Sequence, residues 1–254
     1  MPITLHTLAT SHGDPTDCRF NSSTALQADD RIYLIDAGAP VNALLIRRQL
    51  PFHQIRAVFV THMHEDHVGG LSGLIKSLVK YPLPGQRTDI FLPEAGGVAA
   101  LKGWMTAMHR PWPESLLEVR DFIAGPVFKD DRIQVTAHPT RHLENEGQSF
   151  PSYAFRLELP GCSVVFAGDL KGDFSDFPYA AIGPGCDLCV CEATHYDPAL
   201  AVPRLAALPI GRMIFTHIGN RWHGKGEADL KAILRLLPFP AEVAHDGDEF
   251  RLQD

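Results

Sequence analysis

Thr61-His62-Met63-His64-Glu65-Asp66-His67-Val68-Gly69-Gly70 gathers four potential metal ligands, His62, His64, Asp66 and His67, within six residues. The stretch follows Ala57-Val58-Phe59-Val60, an apolar run that reads as a buried strand. It precedes Leu71, Leu74, Ile75, Leu78 and Val79, which recur at helical spacing. The ligands therefore fall on a strand-to-helix loop at the end of a sheet. Imidazole nitrogen and carboxylate oxygen are the donors that catalytic zinc takes. His62 and His64 are two apart, so in an extended segment they point the same way. Asp66 and His67 come after a bend and can face a second ion. One or two histidines in a polar loop would mean little; three with an aspartate, in His-x-His-x-Asp-His order, point to a metal centre.

The chain has 254 residues, 45% of them hydrophobic, which suits one globular domain spanning 1–254 with a large core, or two fused half-domains. No stretch approaches the ~20 apolar residues of a transmembrane helix. Met1-Pro2-Ile3-Thr4-Leu5-His6 lacks the basic start and apolar core of a signal peptide, so a cytoplasmic protein with no membrane partner is expected. A net charge of −7 gives no pull toward extended nucleic acid, although a metal cluster would add local positive charge and admit a small phosphate. Five cysteines, an odd number, argue for reduced thiols. Cys186-x-x-Cys189-x-Cys191 lacks the second Cys/His pair that closes a structural zinc site, and Cys189 and Cys191 lie in an apolar strand pattern. Packing is the expected role for these three.

Residues 3–9 read as a strand, and 24–28 with 31–36 as a hairpin turning at Asp29-Asp30. Helices are expected at 40–50, 68–80, 94–108 and 226–237, the third broken by Arg110-Pro111-Trp112-Pro113. Strands are expected at 57–61, 89–93, 116–123, 131–137, 163–168, 188–193, 211–216, 241–245 and 248–252. Several of these end in a polar group: His138 and His142 follow one, Asp169 another, and His217 and His245 two more. In α/β sheets the C-terminal strand edge is where ligands collect. No internal repeat or low-complexity tract is visible.

Thr-His-Met-His-Glu-Asp-His resembles the signature of the metallo-β-lactamase superfamily, whose other motifs follow here in the same order. The resemblance implies an αββα sandwich, two mixed β-sheets flanked by helices, with two divalent ions at one edge, zinc or manganese. Asp36-Ala37-Gly38 resembles the first motif, whose aspartate braces the metal loop. One ion is then expected on His62, His64, His142 and Asp169, the other on Asp66, His67, Asp169 and His245. His142 is chosen over His138 because Ser152-Tyr153-Ala154-Phe155-Arg156 resembles the strand that follows this ligand in the ribonuclease Z branch. Cys191-Glu192-Ala193-Thr194 resembles that branch's His-Glu-Ala-Thr box, with cysteine in first place. Phe215-Thr216-His217-Ile218-Gly219-Asn220-Arg221-Trp222 resembles its partner motif. The resemblance implies that Glu192 orients His217 as general acid while a metal-bridging hydroxide attacks, so Asp66, Glu192 and His217 form the expected catalytic set. Only 26 residues, 143–168, lie between His142 and Asp169, which leaves no room for the tRNA-clamping arm of ribonuclease Z. The expected activity is thus a phosphodiesterase on small substrates, with a homodimer left open. The alternatives are a lactonase or thioesterase of the same fold, a non-catalytic metal-binding protein of cofactor biosynthesis, and a tRNA 3′-processing endonuclease.

Overall fold

Every residue of β3 (Arg31–Ile35) after the first is buried, so both faces of this strand are covered. Its near-continuous apolar run is what a strand buried on both faces requires. It ends an antiparallel series that begins with β1 (Ile3–Ala9) and β2 (Ser23–Ala28). The structure, a computed structural model, describes residues 2–110, 112–145 and 147–253. Pro111, expected to help break a helix, lies outside them. The chain divides into two compact units, one running to Ile123 and resuming at His245, the other spanning Ala124–Ala244.

In the first unit the chain continues through α1 (Val41–Arg47), β4 (Ile55–Phe59), α2 (Glu65–Val68), α3 (Leu71–Lys80), β5 (Thr88–Leu92), α4 (Ala95–Ala107) and β6 (Leu117–Asp121). β3, β4, β5 and β6 pair in parallel. α3 buries Leu71, Leu74, Ile75 and Leu78, the expected stripe, in a core that also holds Ile32, Leu34, Val58, Val60, Ile90 and Leu92. Burial of each such side chain contributes roughly 1.5–3 kcal/mol. The helix expected over 68–80 starts at Leu71, because residues 65–68 form a separate turn ahead of Gly69-Gly70.

The second unit holds β7 (Gly125–Lys129), β8 (Gln134–Pro139), β9 (Glu144–Asn145), β10 (Gln148–Ser149), β11 (Tyr153–Leu159), β12 (Cys162–Phe166), α5 (Tyr179–Ile182), β13 (Cys186–Ala193), α6 (Pro198–Leu205), β14 (Ile210–Ile218), α7 (Gly226–Leu234) and β15 (Ala241–Val243). Its sheet runs β15-β14-β13-β12-β11-β8-β7, and β9 and β10 form a separate hairpin. β7 and α6 were not expected. β7 is an edge strand, mostly not buried, and carries Pro126, which the edge tolerates. α6 contains two prolines, but Pro198 sits at its first turn and the Asp197 side chain accepts from Ala199 N, a proper start. Cys186, Cys189 and Cys191 are packed in this unit's core, as expected. Burial pushes the Cys186 thiol up to about 12 and raises Cys189 and Cys191 as well.

β16 (Asp248–Gln253) pairs antiparallel with β1 and completes a first sheet of order β16-β1-β2-β3-β4-β5-β6. From that edge the sheet shows three antiparallel pairings and then three parallel ones. The second sheet, counted from β7, shows the same succession. Among the described residues no helix is long and apolar enough to cross a membrane.

Candidate metal centre

In the first unit β3 and β4 are parallel, so Asp36 and Thr61 leave the sheet at the same edge. Asp36 has φ +61, a region aspartate tolerates better than most residues. Its Oδ1 accepts Thr61 N at 2.8 Å and Thr61 Oγ1 at 3.0 Å, and its Oδ2 lies 2.8 Å from His67 Nδ1. A carboxylate on Nδ1 fixes the tautomer and leaves Nε2 as the donor nitrogen. Thr61 Oγ1 stands 3.1 Å from His62 Nδ1. Asp36 thus braces the loop as the motif implies. The loop is also held by backbone: Ala37 N donates to His67 O at 2.7 Å, and Gly70 N to Ala37 O at 2.8 Å. A Cβ on Gly70 would stand 2.6 Å from Gly38 O and 2.7 Å from Ala37 O, so this approach excludes a side chain.

The loop's four donors gather on one another. The His62 ring is 4.6 Å from His64 and 4.1 Å from His67, and Asp66 Oδ2 is 3.2 Å from His67 Nε2. His62, Asp66 and His67 are buried, and His64 is exposed. His245, in the same unit, is placed differently. Asp246 turns inward, accepting from Thr10 N at 2.8 Å and Phe20 N at 2.7 Å. Its neighbour His245 is exposed, with Nδ1 3.5 Å from Asp248, and it joins no three-donor group among the described residues.

In the second unit Asp169 follows β12 after Gly168, whose φ of +65 suits glycine. β12, β13 and β14 are parallel, and β8 runs the same way, so Asp169, Glu192, His217 and His142 all arise at C-terminal strand ends. Asp169 Oδ2 is the hub: His217 Nε2 lies 3.2 Å away, and His142 Nε2 and His195 Nδ1 each 3.8 Å. Donor atoms of His142, Asp169 and His195 all fall within 4.8 Å of one another. Burial shifts His142 below its ordinary range, against the pull of Asp169. His217 has φ +49 and falls where the β13–β14 register slips between Glu192↔Thr216 and Ala193↔Ile218. That bulge re-aims its side chain, a use bulges have beside active sites. Thr194 Oγ1 donates to its carbonyl.

Glu192 was expected to orient His217; both its oxygens lie 2.9 Å from His195 Nδ1. The same carboxylate accepts from Leu170 N at 2.7 Å, Thr194 N at 3.0 Å and His195 N at 2.9 Å. The physical reason is local. A residue three positions on, across a turn, reaches the carboxylate, while the bulge carries His217 to Asp169. Sequence reasoning missed His195 altogether, although Glu192-Ala193-Thr194-His195 held the signal. His138 stays within β8, opposite Ala154, with burial and Arg156 lowering its pKa.

The comparisons agree with the motif order. A family model described as Anti-Pycsar protein Apyc1 matches residues 3–180. The ribonuclease Z of Synechococcus sp. (strain CC9902) is 32% identical over 290 aligned positions, 85% of this chain and 86% of that one. The ribonuclease Z of Acaryochloris marina (strain MBIC 11017) is 34% identical over 161, 59% of this chain but only 46% of the relative's length. Among solved structures, the metallo-β-lactamase fold protein YhfI from Bacillus subtilis superposes with a TM-score of 0.77 at 18% identity, covering 99% of this chain and 100% of that one. That likeness shows the fold, and it is the metallo-β-lactamase fold that the motifs imply.

Proposed function

Since the chain belongs to the Apyc1 family and, with ribonuclease Z, to the hydrolases of the metallo-β-lactamase fold, we propose that it is a metal-dependent phosphodiesterase acting on small diesters. The observation that carries this reading is Asp169, whose one oxygen faces the imidazoles of His142, His195 and His217, the second of them also held by Glu192. The donor chemistry fits divalent ions, because clustered imidazole and carboxylate groups suit zinc and manganese alike. His62, His64, Asp66 and His67 in the first unit would hold metal, as would His142, Asp169 and His217 in the second. When bound, such ions supply Lewis acidity at phosphoryl oxygens and an ionised water near neutral pH.

The chain's own residues do the rest. Asp36 and Thr61 orient the donor imidazoles of His67 and His62. Glu192 holds His195 by Nδ1 and stabilises its cationic form, which puts an acidic proton at Nε2 for the departing alkoxide. The general-acid role expected of His217 therefore passes to His195, and His217 joins the ligands in place of His245. Two differently placed histidines beside one carboxylate thus divide binding from proton transfer. The relatives' name favours tRNA processing as a second reading, but the described residues of 143–168 hold only a short hairpin and two strands. The family's description favours opposition to a Pycsar system as the biological setting.

The test combines elemental analysis with a panel of leaving groups. The wild type is expected to bind two ions, to cleave bis(p-nitrophenyl) phosphate and a ribose 2′,3′-cyclic phosphate, and to spare β-lactams. His195→Ala should keep its metal and most of its rate on the nitrophenyl ester. On the cyclic phosphate it should lose about 10²–10⁴-fold, the usual share of general acid catalysis. His217→Ala and Asp169→Ala should lose metal, whereas His245→Ala and His138→Ala should not. Equal losses by His195→Ala on both esters would remove it from the acid role. Robust lactone or thioester hydrolysis without diesterase activity would move the protein to the other branch.

A further inference from the structure

We propose that Asp176 is a positioning residue that ties together the two ligand-bearing loops of the second unit; the proposal rests on the metal reading above. Its Oδ2 accepts the backbone N–H of Arg141 at 2.7 Å, and its Oδ1 that of Lys171 at 2.9 Å. Arg141 immediately precedes His142, and Lys171 lies two residues beyond Asp169. One carboxylate therefore spans the loop after β8 and the loop after β12, each oxygen taking one of them. A second link runs between the same loops, His142 Nδ1 lying 3.3 Å from Leu170 O.

The staple has a fixed base. Asp176 is itself buried, at 6% exposure. On either side of it Phe174 and Phe177 enter the core, their rings 4.8 Å apart, and Phe174 packs 4.5 Å from Tyr196. A buried carboxylate is costly unless both oxygens are hydrogen-bonded, so this one is stable only while it holds both amides. The next amide inward, Leu170 N, is taken by Glu192. The peptide after Asp169 is thus gripped by two carboxylates in succession, which sets where Asp169 stands relative to His142. Outer groups of this kind typically change metal affinity by 10–100-fold when removed. Asp36 performs the equivalent service for the loop at 61–70.

The experiment uses the full chain, stripped with a chelator and reloaded. Zn2+ affinity is measured by competition with a chromophoric chelator, the Co2+ absorption spectrum is recorded, and the urea midpoint is taken without metal. Asp176→Asn keeps one acceptor oxygen and loses the other. It is expected to weaken Zn2+ binding about 10–100-fold and to shift the Co2+ bands at a temperature where it stays folded. Asp173→Asn, whose exposed carboxylate accepts from Ser175 N at 2.9 Å and from the Ser175 side chain, should match the wild type. An affinity within twofold of wild type and an unchanged Co2+ spectrum would overturn the proposal, whatever happens to the urea midpoint. Should Asp176→Asn not fold, Asp176→Glu gives the same readout: it keeps the charge but displaces the oxygens, so an unchanged spectrum counts against positioning. A wild type that takes up neither Zn2+ nor Co2+ would overturn the metal reading itself, a result distinct from the loss of the staple alone.

Discussion

At the scale of single residues, burial lowers the pKa of His6, His138 and His142. His6 is 6% exposed in β1, beside Gln27, Glu249 and Arg48, and burial lowers its pKa below the ordinary 6.5 despite the Gln27 and Glu249 contacts. The unfolded chain therefore binds this proton at a higher pH than the folded one. Stability is unaffected well above pH 6.5 and falls as pH drops below it, until the folded state is also protonated. His6→Gln removes the difference and should lose less stability than wild type between pH 7.5 and 5.5, read as the change in urea midpoint. A parallel loss in both proteins would show that His6 takes no part. Positions were legible from sequence where a strand end fixed them: Asp36 and the 62–67 loop follow neighbouring parallel strands, and Asp169 follows β12, while their part in holding metal is the proposal above. Roles were less legible. Whether Glu192 serves His195 or His217 depends on a bulge and on one left-handed residue, which no side-chain pattern announces.

At the scale of elements, strong periodicity read true and weak periodicity did not. α3 shows its apolar stripe plainly. α6 is disguised by two prolines, and β7 by its lack of a buried face. The metal loop depends on something subtler, the approach of Gly70 to the backbone of Ala37 and Gly38. Neither carbonyl can yield as a flexible side chain would. Gly70→Ala should therefore destabilise the protein by about 1–3 kcal/mol, the range for overpacking, and reduce its metal content. Denaturant unfolding with elemental analysis measures both. Full metal content at unchanged stability would mean that the 61–70 loop tolerates a shift, and that Asp36 alone holds it.

At the scale of the molecule, the two sheets share a succession of pairings that the sequence does not display, because what repeats is topology and not residue pattern. The units differ in one respect that bears on synthesis. Ala124–Ala244 is continuous, whereas the unit carrying the 61–70 loop needs β16 to cover the β1 edge. β16 leaves the ribosome after the whole of the second unit. Until then β1 presents an open strand edge, the kind of surface that invites wrong pairing. The loop proposed to bind metal is thus the part of the nascent chain to mature late, and metal capture should follow release of the C-terminal strand. Stalled chains that expose residues up to about 244 are expected to resist protease over 124–244 and to be cut within 1–123. Equal resistance over both segments would show that the first sheet forms without its last strand.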